Sequence, residues 1–169
     1  MTARAEPFTA ERYDLGPVVL EPIGDVVAEL AERLAAIDPW ARTGRTAAGF
    51  LASFAVCPPA TFRFALRRDG RLVGYLALRR PFMRGPYVET IAVFPEAQRL
   101  GIARAVIEWA AREVEGLDTN LWLCVTEWNA VARAAYAALG FVDVGPLPDV
   151  AAVGVTEIFM RRVLAPPMP

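Results

Sequence analysis

Residues 87–109 read YVETIAVFPEAQRLGIARAVIEW, and this stretch decides the fold. Its first part is β-branched and apolar and stops just before Pro95, which is typical of a buried strand. A short loop with a single glycine, Gly101, follows, and apolar residues then recur at helical spacing from Ile102. The first N–H groups of a helix have no partner inside it, and the helix dipole favours negative charge there. The sequence therefore predicts a strand, a tight loop and a helix that hold a phosphate near residues 99–104.

The remaining elements surround this stretch on both sides. Alternating apolar runs flank Asp69-Gly70, which predicts a hairpin. Capping residues and apolar periodicity place the other elements: helices over 25–37, 46–55 and 129–140, strands over 18–20, 121–125, 141–144 and 155–163, and loops over 81–86 and 145–154. The order β-α-α-β-β-β-α-β-α-β-β predicts a mixed sheet with helices on both faces.

The domain limits follow from composition. The chain has 169 residues, of which 55% are hydrophobic, so it suits one globular domain with a sizeable core. We expect a flexible leader over residues 1–14, a single domain over 15–164 and a tail over 165–169.

Composition also excludes several kinds of chemistry. The chain contains no histidine, which removes a histidine general base, a Ser-His-Asp triad and most zinc sites. Every one of its 18 basic residues is arginine, and the net charge of −1 argues against a general nucleic-acid binder. Cys57 and Cys124 are far apart, and we expect both to be reduced thiols. We predict a soluble, cytoplasmic protein without a membrane partner, because no apolar run approaches the length of a membrane span.

The loop at residues 98–103 leaves alternatives open when its residues are considered alone. Gly101 and Ala103 are small where a backbone must approach a ligand closely. A dinucleotide fingerprint requires more glycines, and a P-loop requires a Lys-Ser/Thr pair, so neither pattern is met. The interpretations that remain are an ordinary strand-to-helix turn and a phosphate site for either a nucleotide or a coenzyme.

Two segments resemble a known family. FPEAQRLGIARAVIEWA, residues 94–110, resembles motif A of the GNAT family of N-acetyltransferases, with its Q/R-x-x-G-x-G/A pattern. NAVARAAYAALGF, residues 129–141, resembles the family's next block, with Asn129, Tyr136 and a terminal Leu-Gly-Phe. The resemblance is sharp over residues 72–144 and only topological before them. It implies a GNAT-like α/β (α+β) fold whose central sheet is mixed, mostly antiparallel and about six to seven strands wide.

The resemblance also implies the donor and the residues that bind it. The donor would be acetyl-coenzyme A, and no metal would be required. The strand edge formed by Ile91, Ala92 and Val93 would align the pantetheine arm, and Asn129 would contact that arm. The pyrophosphate would bind to backbone amides of the loop and first helical turn: Arg99, Leu100, Gly101, Ile102, Ala103 and Arg104.

Two residues are candidates for proton transfer. Tyr136 is the candidate acid for the leaving thiolate, and the alternative is that it is an ordinary core aromatic. Glu89 is the candidate base, because it lies four residues before Val93 and should share that residue's face of the strand. Burial would raise the pKa of its carboxyl toward a useful value. The alternative is an exposed carboxylate, or one paired with an arginine such as Arg79.

Within the family, the chain most resembles bacterial enzymes that acetylate the N-terminal alanine of ribosomal proteins. It departs from them at Cys124, where they place a glutamate base. We expect the acceptor pocket to be built by residues 37–54 and 145–154. The resemblance implies direct attack by a primary amine, from a small molecule, peptide or protein, in a ternary complex. The alternative is a non-catalytic coenzyme A-binding sensor or partner-binding module. A homodimer is compatible with the sequence.

Overall fold

The computed structural model describes residues 6–166, so part of the leader and part of the tail lie outside the described residues. Within this range the chain forms eight strands: Tyr13–Asp14 (β1), Val19–Pro22 (β2), Thr61–Arg68 (β3), Arg71–Phe82 (β4), Gly85–Val93 (β5), Asn120–Thr126 (β6), Val142–Pro148 (β7) and Thr156–Val163 (β8). The α-helices are Val27–Ala35 (α1), Trp40–Thr43 (α2), Ala47–Ala55 (α3), Ile102–Glu113 (α4) and Ala130–Ala138 (α5), and short 3-10 helices span Gly24–Val26 and Pro95–Ala97. None of the helices in the described range is long and apolar enough to cross a bilayer.

The strands form a single sheet in the order β1-β2-β3-β4-β5-β6-β8-β7. Every neighbouring pair is antiparallel except β5 and β6, which run parallel. The predicted fold class, a mixed and mostly antiparallel sheet with helices, is therefore confirmed. The sheet is wider than expected, because the two-residue strand β1 is too short to leave a periodic signal in the sequence.

The turn of the β3–β4 hairpin has the predicted conformation, whereas the connection between β4 and β5 differs from the prediction. Asp69 and Gly70 both have positive φ, 49° and 75°, as a tight hairpin turn requires. The loop predicted over residues 81–86 is wrong, because β4 continues to Phe82 and β5 begins at Gly85. Pro81 is tolerated in β4 because β3 stops pairing at Arg79, so the missing N–H breaks no ladder bond with β3.

The far edge of the sheet also extends beyond the prediction. β7 runs on to Pro148, so the loop predicted to begin at Gly145 begins only after that residue. Two prolines, Pro146 and Pro148, lie in this strand. They are compatible with strand structure because β7 is the outermost strand and needs hydrogen bonds on one side only.

The sheet buries a core on each face. The larger core cluster lies under α4 and α5 and includes Ile102, Val106 and Leu76. The smaller core cluster lies under α1 and α3 and includes Leu30 and Phe50. Neighbouring residues of β4 alternate between the two clusters, as the two-residue period of a strand dictates.

Part of the predicted flexible leader packs into the larger core cluster. Phe8 is fully buried, and its ring contacts Phe62 and Trp109 at centroid distances of 5.7 and 5.4 Å. Tyr13 lies 4.9 Å from the same Trp109 ring. In the described part of the leader, Pro7 and Phe8 are thus buried, whereas Glu6, Glu11 and Arg12 are exposed. The domain limits of 15–164 stay a prediction.

Candidate functional site

The site begins where two central strands separate. β5 and β6 are paired at only two positions, Tyr87 with Trp122 and Val88 with Leu123. Beyond Val88 the strands diverge, and a cleft of about 1820 Å³ lies between them. A pocket for one small ligand usually measures about 300–1,000 Å³, so this cleft has room for a donor and an acceptor together.

A β-bulge at Glu89 sets which side chains face each side of the cleft. Val88 lies opposite Leu78 and Thr90 opposite Ala77, so Glu89 is the extra residue on β5. After the bulge, Ile91 and Val93 pack against the larger core cluster. The expectation that Glu89 shares the face of Val93 is therefore wrong, because the bulge interrupts the two-residue period.

Glu89 is exposed and paired rather than buried. Its Oε1 accepts a hydrogen bond of 2.9 Å from Arg79 Nη2, and the two side chains are 35% and 44% exposed. Arg79 lies opposite Tyr87, on the face of the smaller core cluster, so Glu89 also turns to that face. The alternative weighed for this carboxylate, an ion pair with Arg79, is what the structure shows.

The loop before α4 presents open backbone. Arg99 and Gly101 have positive φ, 64° and 76°, which turns the chain sharply into the helix. Gly101 is the N-cap residue without a side-chain cap, so the first amides of α4 have no intrahelical partner. A Cβ at Gly101 would meet nothing within 4 Å, so this surface is open to a ligand. Gln98 donates a 3.0 Å hydrogen bond to the carbonyl of Val93 and ties the loop to the end of β5.

The second wall of the cleft carries α5. Asn129 caps this helix, because its Oδ1 accepts a 3.2 Å hydrogen bond from the Ala132 N–H. A ligand contact from Asn129 would therefore use its Nδ2 group. At the other end, Gly140 has φ 86°, and the Phe141 N–H donates to the Tyr136 carbonyl at 3.0 Å, which completes a Schellman motif. The cap and this motif together fix the position of Tyr136.

The ring of Tyr136 extends from α5 toward the larger core cluster and lines the cleft. The ring packs against Phe141 at a centroid distance of 5.9 Å and contacts the larger core cluster. Burial raises the pKa of Tyr136 to about 12, so the phenol is protonated throughout the neutral range. A protonated phenol on a cleft wall can donate to an anion.

The cleft brings most of the predicted site residues together. Its walls include Glu89, Ile91, Ala92, Val93, Arg99, Ala103, Asn129 and Tyr136. Four others lie in the loop and first turn of α4 without contributing to this wall: Leu100, Gly101, Ile102 and Arg104. The Ile102 side chain is in the core, so only its backbone is available to a ligand.

The structure adds Glu157, which the sequence analysis did not select. Glu157 lies on β8, lines the cleft and is only 9% exposed. Its Oε1 accepts a 2.8 Å hydrogen bond from the hydroxyl of Thr126 on β6. Burial raises the pKa of Glu157, and the bond from Thr126 partly opposes this shift. The available signal was a lone carboxylate between the apolar residues Val155 and Ile158 of a predicted strand.

The segments predicted to form an acceptor pocket both reach the cleft. The first contributes residues between Ile37 and Phe54, and the second contributes Val150, Ala151 and Ala152. Arg45 stacks over the ring of Phe50 at 4.2 Å. This part of the cleft is therefore mainly apolar and aromatic.

Comparison with known proteins identifies the class that this fold and cleft define. The model of the Acetyltransferase (GNAT) family matches residues 28–141. The chain belongs to this family, which confirms the resemblance drawn from residues 94–110 and 129–141.

Individual relatives refine the comparison. The [ribosomal protein bS18]-alanine N-acetyltransferase of Escherichia coli (strain K12) is 38% identical over 80 residues, which cover 46% of this chain and 53% of that protein. The match thus spans about half the length of this curated relative. The solved structure of the E. coli ribosomal-protein-S18-alanine N-acetyltransferase has a TM-score of 0.67 at 22% identity, covering 89% of this chain and 95% of that one. The crystal structure of nourseothricin acetyltransferase has a TM-score of 0.57 at 29% identity, covering 65% of this chain and 70% of that one.

Proposed function

We propose that this protein transfers an acetyl group from acetyl-coenzyme A to a primary amine by direct attack in a ternary complex. The observation that carries the proposal is the separation of β5 from β6 beside the uncapped N-terminus of α4. An open edge of β5, the first amides of α4 and the Tyr136 phenol lie around one cleft, which supports the proposal. Membership of the family supports the same reaction.

The wall of the cleft formed by β5 and the loop before α4 suits the donor. Backbone amides between Arg99 and Arg104 would hold the pyrophosphate, since helix N-termini bind anions without needing side-chain charge. The strand edge from Ile91 to Val93 would align the pantetheine arm, and a backbone amide there would polarise the thioester carbonyl. Asn129 Nδ2 would contact the arm from the opposite wall.

Tyr136 would protonate the leaving thiolate. Its phenol is held by the Schellman motif and by Phe141, and its raised pKa keeps the proton in place until negative charge develops nearby. Removing only the hydroxyl, by Tyr136→Phe, preserves the ring packing and tests this role.

A carboxylate in the cleft would assist deprotonation of the amine. Glu89 is the candidate drawn from the sequence, and its side chain is paired with Arg79. Glu157 is a second carboxylate on the cleft wall.

Cys124 is a poor candidate for a covalent nucleophile. Burial raises the pKa of its thiol, and the thiolate is the reactive form. The hydrogen bond with Tyr87 only partly opposes this shift, and the sequence holds no histidine to activate the thiol. Direct attack by the acceptor therefore fits better than an acyl-enzyme intermediate.

The acceptor would be a primary amine of a small molecule, a peptide or a protein. The matched relatives are named for an alanine of ribosomal protein bS18 and for nourseothricin, so both kinds of amine occur among similar proteins. Cys124 replaces the glutamate expected of the ribosomal-protein enzymes, which favours an acceptor different from theirs.

The test combines turnover with donor binding. Free coenzyme A thiol is measured with wild type, Tyr136→Phe and Glu89→Gln, and thermal shift measures acetyl-coenzyme A affinity. A ligand at 100 times its dissociation constant adds about 2.7 kcal/mol to stability, so binding is readily detected. We expect Tyr136→Phe to lower turnover by about 100-fold while donor affinity is retained. If acetyl-coenzyme A does not bind, or ATP stabilises the protein instead, the proposed function is wrong.

A further inference from the structure

Glu157 is a buried carboxylate on the wall of the cleft, and no described residue forms a salt bridge with it. We propose that it receives the ammonium group of the acceptor and takes one of its protons. This inference rests on the proposed function and assigns to Glu157 the role that the sequence analysis gave to Glu89.

The position of Glu157 follows from the register of three strands. It lies opposite Thr126 on β6 and opposite Leu147 on β7. The same face of β6 carries Cys124, which lies opposite Phe159. Glu157 therefore sits beyond the point where β5 and β6 separate, on β8, which pairs with β6 on the side away from β5.

The surroundings of Glu157 supply one hydrogen bond and no compensating charge. The Thr126 hydroxyl donates to Oε1 at 2.8 Å. The titratable side chains facing it are Cys124 on β6 and Tyr87 on β5, neither of which carries positive charge, and the facing residue of β7 is Leu147. Within residues 6–166, no salt bridge is formed by Glu157.

Burying a carboxylate without a cation costs free energy, and an incoming ammonium would supply the missing cation. Glu89 contrasts with this, because Arg79 already satisfies it at 2.9 Å. Two arginines that line the cleft are likewise engaged elsewhere: Arg45 donates to Ser53, and Arg63 donates to carbonyls at the end of α3. Among the described residues, Glu157 is thus a buried carboxylate of the cleft without a salt bridge, whereas Asp38, which also lines the cleft without one, is exposed to solvent.

The acceptor nitrogen loses two protons during the reaction. One ammonium proton moves to Glu157, and the freed lone pair forms a bond to the thioester carbonyl carbon. The carbon–sulfur bond then breaks, and the sulfur takes the Tyr136 proton. The second nitrogen proton returns to the Tyr136 phenolate through solvent, and Glu157 releases its proton to solvent. The net products are an amide, coenzyme A thiol and one proton.

The first experiment measures binding of a defined cation. Thermal shift is recorded for the coenzyme A complex with n-butylammonium chloride against potassium chloride at equal ionic strength. We expect n-butylammonium to stabilise wild type and the control Glu127→Gln, whose exposed side chain lies next to Thr126 in sequence. Glu157→Gln, which keeps the shape of the side chain, should lose this stabilisation. Equal shifts in all three proteins would overturn the inference.

The second experiment uses turnover of three amines: n-butylamine, nourseothricin and a short peptide with an N-terminal alanine. Glu157→Gln should lower kcat/KM by at least about 100-fold and remove the acidic limb of its pH profile, with acetyl-coenzyme A affinity unchanged. Thr126→Val removes the hydrogen bond that stabilises the carboxylate, so the acidic limb should move to higher pH.

Two outcomes separate this inference from the proposed function. If Glu89→Gln abolishes turnover and Glu157→Gln does not, the acetyltransferase remains and the role of Glu157 is refuted. If wild type binds acetyl-coenzyme A but acetylates none of the three amines, while n-butylammonium binding still depends on Glu157, the ammonium site stands and the assigned reaction fails.

Discussion

Replacing Phe8 with alanine tests whether the segment before β1 belongs to the folded domain. Phe8 is fully buried and makes edge or tilted contacts with the rings of Phe62 and Trp109. Its φ of 61° is positive, so alanine is a better replacement than glycine because it carries the same backbone strain.

The expected loss is large for one substitution. Phe→Ala changes in cores cost about 3–5 kcal/mol, and two aromatic contacts add to area burial, so we expect about 4–5 kcal/mol here. At about 2–4 °C per kcal/mol for a chain of this size, Tm should fall by about 8–20 °C. The substitution should also destabilise α4, because Trp109, which the Phe8 ring contacts, lies in that helix.

Thermal and urea unfolding followed by far-UV circular dichroism measure this loss. The control is Val153→Ala, at a side chain that is 94% exposed, which should change stability by less than about 0.5 kcal/mol. A fall in Tm of less than about 2 °C for Phe8→Ala, equal to that of the control, would show that the segment does not pack in solution. The predicted domain start at residue 15 would then be supported.

Two further predictions concern a cap and a titration. Thr46 accepts a 3.1 Å hydrogen bond from the Gly49 N–H at the start of α3, so Thr46→Ala should cost about 1 kcal/mol in urea unfolding, whereas Thr46→Ser should restore most of it. For Tyr136, the pKa is raised to about 12 in the folded protein, so the unfolded chain loses this proton first as pH rises. Stability is therefore fully present below about pH 10 and should fall by about 3 kcal/mol between pH 10 and 12. Burial also raises the pKa values of Tyr75 and Tyr87, so the contribution of Tyr136 is measured as the difference in the fall of stability between wild type and Tyr136→Phe. An identical fall in both proteins would contradict the prediction.

The sequence correctly predicted the turns and helix ends whose conformation is determined by residues close to them in the chain. The Asp69-Gly70 turn, the Thr46 cap and the glycine that ends α5 each satisfy a nearby backbone requirement, and all three occur in the structure. The strand, loop and helix over residues 87–109 were predicted for the same reason. The resemblance of residues 94–110 and 129–141 then led to the family.

Features set by distant partners were not visible in the sequence. The bulge at Glu89 exists only in the pairing of β5 with β4, so strict alternation placed that side chain on the wrong face. Phe8 has no periodic pattern around it and is ordered by Phe62 and Trp109. The sequence signal for Glu157 was a lone carboxylate near apolar residues, and its hydrogen bond to Thr126 depends on strand register, because the two residues are 31 positions apart in the chain.

The bulge in β5 also determines which changes of length this strand can accept. Glu89 is exposed, so most substitutions there should preserve folding. Deleting it would restore strict alternation and leave the residues on both sides of the bulge on their present faces, because Val88 would still lie opposite Leu78 and Thr90 opposite Ala77. Ile91 and Val93 would then still face the larger core cluster that they now contact together with Val88. A mutational scan scored by yield of folded protein should therefore rank Glu89 among the most replaceable positions of β5 and also among the most removable.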